Sequence, residues 1–143
     1  MKPALPDKLV PRLLIWLLGF GVISCVIGAV MGIAFNGAGV PLEYLEGSPF
    51  NSYVVPGLIL GVVVGGTQLL GFIGMLSKRL PGLLLATIAG FGMMIWNFAE
   101  VAVIGEYSFL QGIYFGLGIL ELMSVIALLG IAPSIVGRWR ANE

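Results

Sequence analysis

Residues 54–76 read VVPGLILGVVVGGTQLLGFIGML, an unbroken apolar run without one charged side chain. At 1.5 Å per residue a helix of this length reaches about 34 Å, slightly more than the roughly 30 Å hydrocarbon core of a bilayer. Three further stretches meet the same requirement, at about 13–35, 83–104 and 109–132. Proline and charge mark the gaps: Pro11 and Arg12 before the first, Lys78, Arg79 and Pro81 between the second and third, Pro133 after the fourth. The reading is an all-α integral membrane four-helix bundle, a single domain over 1–143.

Composition agrees. The 143 residues are 59% hydrophobic and only 10% charged, with a mean hydropathy of +1.07. Soluble domains are roughly a quarter charged, so this chain cannot coat a water-facing surface. A formal net charge of zero implies no general attraction to nucleic acid. The absence of His removes imidazole bases and His-ligated metals or haem. The single Cys25 excludes an internal disulfide or thiol pair. No metal or other cofactor is expected, and no phosphate loop or hydrolase motif is present.

The N-terminus has the basic residues of a secretory signal, but its apolar run is longer than the 7–15 residues of such a segment, roughly, and no small-residue cleavage site follows. It reads as a retained anchor. All basic residues fall on one side: Lys2, Lys8, Arg12, Lys78, Arg79, Arg138 and Arg140. The connections at about 36–53 and 105–108 hold only Glu43, Glu46 and Glu106. The positive-inside rule then puts both termini and the middle turn in the cytoplasm. Tyr44, Tyr53, Tyr107 and Tyr114 mark the outer boundary, and Trp16 and Trp139 the inner one. Absence of eukaryotic sorting signals points to a plasma membrane of bacterial inner-membrane type.

Helices in lipid associate by close backbone approach and by interhelical polar contacts. Small residues four apart make a stripe on each span: Gly57, Gly61 and Gly65; Ser24, Gly28 and Gly32; Gly82, Ala86 and Gly90; Gly112 and Gly116. These stripes serve either packing within one bundle or contact with another subunit, for which Gly57-Gly61-Gly65 is the leading candidate. The 36–53 loop mixes Leu42, Tyr44, Leu45 and Phe50 with rigid Pro41, Pro49 and Gly47. It is expected to be either a structured cap over the outer end of the bundle or a plain hydrophobic plug, with Ser48-Pro49 and Asn51-Ser52 as helix starts.

A charged side chain at the bilayer centre costs about 2.5–3.5 kcal/mol on insertion scales, so intramembrane polar residues carry information. Glu121 falls near the middle of the fourth span, with Gly118, Ser124 and Val125 on its face. Gln68, Thr67, Ser24 and Asn97 lie at comparable depths, giving a candidate polar cluster around Glu121. Either a neutral Glu121 ties two helices together by a hydrogen bond, or the cluster exchanges protons or cations. Glu100, one turn from the outer end of the third span, joins Glu43, Glu46 and Glu106 in a candidate acidic mouth without a cation.

The run Pro41-Leu42-Glu43-Tyr44-Leu45-Glu46-Gly47-Ser48-Pro49-Phe50, continuing through Tyr53 and Pro56-Gly57-Leu58, resembles a family of small uncharacterised bacterial four-transmembrane-helix proteins. Ile95-Trp96, Leu110-Gln111 and Tyr114-Phe115 fit the same resemblance. It implies the fold and no activity. Small multidrug transporters carry their membrane-embedded glutamate in the first span, where this chain has none. Claudin-like proteins need a Trp and Cys signature in the first outer loop, and vitamin K epoxide reductase-like proteins need a Cys pair; both are missing.

Three function classes remain. The first is a non-enzymatic accessory, assembly or homo-oligomeric component whose partners are the lipid bilayer and a membrane protein or a second copy. The second is a small transporter or channel component using Glu121. The third, a lipid- or quinone-modifying enzyme, lacks a second catalytic group.

Overall fold

The computed structural model describes residues 9–78 and 80–130, and among these every regular element is helical. Four long helices run up and down: α1 (Leu9–Phe35), α2 (Val54–Leu76), α3 (Leu80–Ile104) and α4 (Phe109–Leu129). Each is long and apolar enough to cross a bilayer, and the chain is a multi-pass membrane protein. Lys2, Lys8, Arg79, Arg138, Arg140, Trp139, Pro133 and the last two residues of the fourth expected span lie outside the described residues.

Two helices start earlier than expected, α1 at Leu9 and α3 at Leu80. Pro11 and Pro81 caused the difference: each falls within the first turn, where the missing N–H has no intrahelical acceptor to lose. The bundle thus has a tight-turn end, at Ser77–Lys78, and a loop end, where residues 36–53 and 105–108 connect the helices. Arg12 and Lys78 belong to the turn end.

Helix α1 packs on α2 and α4, and α3 packs on α2 and α4, so the four form a ring with α1 opposite α3 and α2 opposite α4. The buried positions of α1, Leu14, Leu18, Gly21, Cys25, Ala29 and Gly32, recur every three or four residues, as one face of a helix requires. On the other side Trp16, Val62, Ile95 and Phe98 stand exposed, an apolar perimeter suited to lipid.

The small-residue stripes of the first three helices are largely consumed within the bundle, whereas Gly112 meets Tyr107 and Gly116 has open space beside it. A Cβ on Gly57 would lie 3.2 Å from Gly32 Cα, one on Gly61 2.7 Å from Ala29 Cβ, and one on Gly65 3.1 Å from Cys25 Cβ. The series Gly57, Gly61 and Gly65 therefore faces α1, not another subunit. Gly28 also meets α2, through Leu60. Further along, Gly74 abuts Gly82, and Gly90 abuts Gly118. Residues spaced by four drift around an α-helix by about 40° per step at 100° per residue. Within α2, Ile59–Val64 is a π-helix, whose wider turns reduce that drift and keep all three glycines against α1.

The long loop is ordered by two bonds from one residue, Tyr53. Tyr53 N–H donates to Asn36 Oδ1 at 2.9 Å, and Tyr53 Oη–H donates to the Pro41 carbonyl at 2.9 Å. A 3-10 turn, Leu42–Leu45, buries Leu45. The helix starts expected in this loop differ from what forms. Ser48 Oγ accepts from Phe50 N–H in a local turn, and α2 starts at Val54 with no side-chain cap. A serine hydroxyl two residues from an N–H satisfies it without a helix.

Candidate functional site

Two features of the interior bear on function, one at mid-depth and one at the loop end. At mid-depth, Gln68 and Glu121 are fully buried. Gln68 Nε2 donates to Glu121 Oε2 at 3.0 Å and to the Ala89 carbonyl at 3.1 Å. Because α2 and α4 stand opposite one another, the first bond crosses the diagonal of the bundle, while the second reaches α3. On the α1 side Gly21 leaves the room that Gln68 needs, since a Cβ there would collide with Gln68 Oε1. One side chain thus touches all three other helices. Gln68 Oε1 and Glu121 Oε1 have no hydrogen-bond partner, so the pair is short of donors and not of acceptors.

The expected polar cluster is narrower than its residues suggested. Ser124 Oγ–H is spent on the Leu120 carbonyl of its own helix at 2.7 Å, and Thr67 Oγ1–H on the Val64 carbonyl at 2.7 Å. In an apolar medium a hydroxyl satisfies itself on the preceding turn at no cost in position, which removes both from the pair. Asn97 likewise donates Nδ2–H to the Met93 carbonyl at 2.8 Å. It and Ser24 line a different feature.

That feature is a cavity of about 520 Å³ between the helices at the loop end. Its floor is formed by Cys25 and Met93, which belong with Val64 and Leu117 to one buried cluster. A second cluster, Leu14, Leu18, Ala86, Ala89 and Val125, fills the turn-end half. On α1 Gly21, facing Gln68, falls between Leu18 and Cys25, so the Gln68–Glu121 tie lies between the two clusters. The cavity is closed from below.

Its walls are apolar with a few placed polar groups, the usual make-up of a ligand site. Ile27, Met31 and Leu60 face Trp96 and Tyr114. Asn97, 3% exposed, is held through Nδ2, so Oδ1 is its uncommitted acceptor. Gln111 sits in a capping box at the start of α4: its Oε1 accepts from Ser108 N–H at 2.8 Å, and Ser108 caps the N3 backbone. The Gln111 side chain is thereby turned toward Glu100. The signal for this was present as Ser108-x-x-Gln111.

Of the four residues assigned to an acidic mouth, Glu100 and Glu106 line the cavity. Glu43 and Glu46 are exposed and do not, because the 3-10 turn buries Leu45 and brings Tyr44 to the cavity while leaving the two carboxylates outside. Ser24 is likewise a wall residue, not part of the α1–α2 contact stripe. Among the described residues no three Cys, Asp or Glu side chains gather as metal ligands.

No protein-family model, curated protein or solved structure matches the chain. The chemistry of the site alone therefore carries the functional reading. The cavity lining brings together hydroxyls, amides and two carboxylates.

Proposed function

We propose that this protein is a non-enzymatic membrane component that takes up a small ligand in the cavity at its loop end, with that end facing outward from a bacterial inner membrane. The observation that carries the proposal is the 520 Å³ cavity itself. Its size falls within the roughly 300–1,000 Å³ of small-molecule sites, and such sites commonly lie between the helices of bundles. The outward orientation is supported by the distribution of basic residues along the sequence.

Two observations favour binding over a purely scaffolding role. The leading candidate for a helix partner, Gly57, Gly61 and Gly65, is occupied by α1 within the bundle. Several polar side chains of the outer half, Ser24, Asn97, Glu100 and Gln111 among them, border the cavity. The tie at mid-depth supports a one-sided binding site and weighs against an open channel, because Gln68 and Glu121 are fully buried beneath the floor. Glu121 on this reading is a structural partner, and the cavity carries the ligand.

Native mass spectrometry of protein released gently from its own membrane tests the proposal. The expected result is a bound small molecule that is lost when Ser24→Phe fills the cavity, with the fold retained by circular dichroism. A preparation that carries no small molecule and instead a stoichiometric protein partner, unchanged by Ser24→Phe, supports the accessory-subunit reading and overturns this one.

A further inference from the structure

Resting on that ligand-binding reading, we propose that the cavity selects a cationic amphiphile: an ammonium head group carrying an apolar chain. The charged side chains that face the cavity are of one sign. Glu100 comes from the last turn but one of α3 and Glu106 from the connection that follows it, and among the described residues no Lys or Arg lines the walls. The cations among the described residues outside the cavity, Arg12 and Lys78, stand at the opposite end of the bundle. Neither carboxylate therefore has a basic side chain of the site to offset it. Glu100 is half-buried among apolar walls, where its field acts on a ligand with little screening, while Glu106 stands exposed at the rim.

The aromatic groups point to the same class of ligand. Tyr44, Tyr53, Tyr107, Tyr114 and Trp96 border the cavity from four different segments of the chain. Ring faces attract an ammonium group, more strongly where water is excluded. Asn97 is a buried side chain whose Nδ2 is committed to Met93, and its Oδ1, which borders the cavity, is an acceptor and not a donor, so it too favours a positive or N–H-bearing head. An anion would meet two carboxylates and an acceptor amide. Below the polar level Ile27, Met31 and Leu60 continue the wall toward Cys25, which gives an apolar chain a place to lie. The head then sits near Glu100 and Asn97, with the chain against α1 and α2.

The experiment uses Trp96 as the reporter. The chain has three tryptophans, so Trp16→Phe and Trp139→Phe leave Trp96 alone on the cavity wall. The protein is placed in phosphatidylcholine nanodiscs and titrated with decyltrimethylammonium, decanesulfonate and decyl glucoside, which share one chain and differ in head-group charge. The expected result is saturable Trp96 quenching by the ammonium compound at a concentration about tenfold below the sulfonate. Glu100→Gln is expected to bring the ammonium compound to the affinity of the glucoside while leaving the glucoside unchanged. Equal affinity for all three in the Trp96 protein overturns the cationic selectivity and leaves the ligand-binding reading standing. Absence of saturable quenching by any of them overturns the ligand-binding reading itself. The comparison among head groups needs no Glu100 variant, so a folding defect in that variant does not shield the proposal.

Discussion

Replacing Glu121 tests the account of mid-depth most sharply, because Glu121 and Gln68 form an isolated polar pair. In Glu121→Leu the Gln68 amide keeps its bond to the Ala89 carbonyl and loses the 3.0 Å bond across the bundle. Interhelical hydrogen bonds in membranes average about 0.6 kcal/mol and reach about 1.7 kcal/mol. The amide is also left with a buried N–H unpaired, beside an oxygen already without a partner, at about 1–3 kcal/mol for such a group. Leucine recovers part of this by filling the site, so a net loss of about 1–2 kcal/mol is expected. The double variant Gln68→Leu with Glu121→Leu removes both polar groups and should be less destabilised than the sum of the two single variants by about 1 kcal/mol. Glu121→Gln behaves differently. Its amide oxygen still accepts from Gln68 Nε2, and its N–H groups supply donors where Gln68 Oε1 now has none. It should unfold at or above the wild-type midpoint. Reversible unfolding in mixed micelles with increasing dodecyl sulfate, followed by circular dichroism, reads all four proteins. Equal losses for Glu121→Gln and Glu121→Leu, with additive single and double variants, would refute the structural role and require a function for the carboxylate charge.

Further perturbations follow from the packing and the loop. Gly57→Ala places a Cβ 3.2 Å from Gly32 Cα and should cost about 1–3 kcal/mol in the same unfolding assay, whereas Gly66→Ala, with nothing within 4 Å, should be neutral or stabilising by up to about 1 kcal/mol. Ser108→Ala breaks the capping box of α4 and should cost about 1 kcal/mol, with faster amide exchange confined to the first turn of that helix. Asn36→Ala removes the acceptor for Tyr53 N–H; hydrogen exchange across 36–53 should quicken while the midpoints of α1 and α2 stay protected.

The spans were legible because bilayer insertion depends on length and hydropathy, which are local. Their starts at Leu9 and Leu80 were less so, since a proline reads as a break although the first helical turn accommodates it. The depth match of Gln68 and Glu121 could be counted from the helix ends. Whether Thr67 and Ser124 joined them could not, because a hydroxyl in a helix has an acceptor one turn back wherever it is placed. Glycine spacing revealed the close-packed faces but not their partners: Gly57, Gly61 and Gly65 read equally well toward α1 or toward a second subunit. The cavity was the least legible element. It is bordered by Trp96, Tyr53 and Tyr114, and by Leu60 of a π-helical segment, Ile59–Val64, for which the residues gave no signal. Nor did the sequence distinguish Glu100 and Glu106 from Glu43 and Glu46, because one 3-10 turn decides which carboxylates face inward.

The central claim is a cavity that opens only at the loop end, facing outward, above a sealed tie. Two single-cysteine proteins in a Cys25→Ala background test it directly. Ser24→Cys puts the thiol on the cavity wall and Ser124→Cys puts it below the tie. A membrane-impermeant thiosulfonate, added outside sealed spheroplasts, should label Ser24→Cys and leave Ser124→Cys unmodified. Labelling of both at similar rates would contradict the closed floor, and labelling of Ser24→Cys from the cytoplasmic side alone would contradict the orientation. No labelling of Ser24→Cys from either side would contradict the cavity itself.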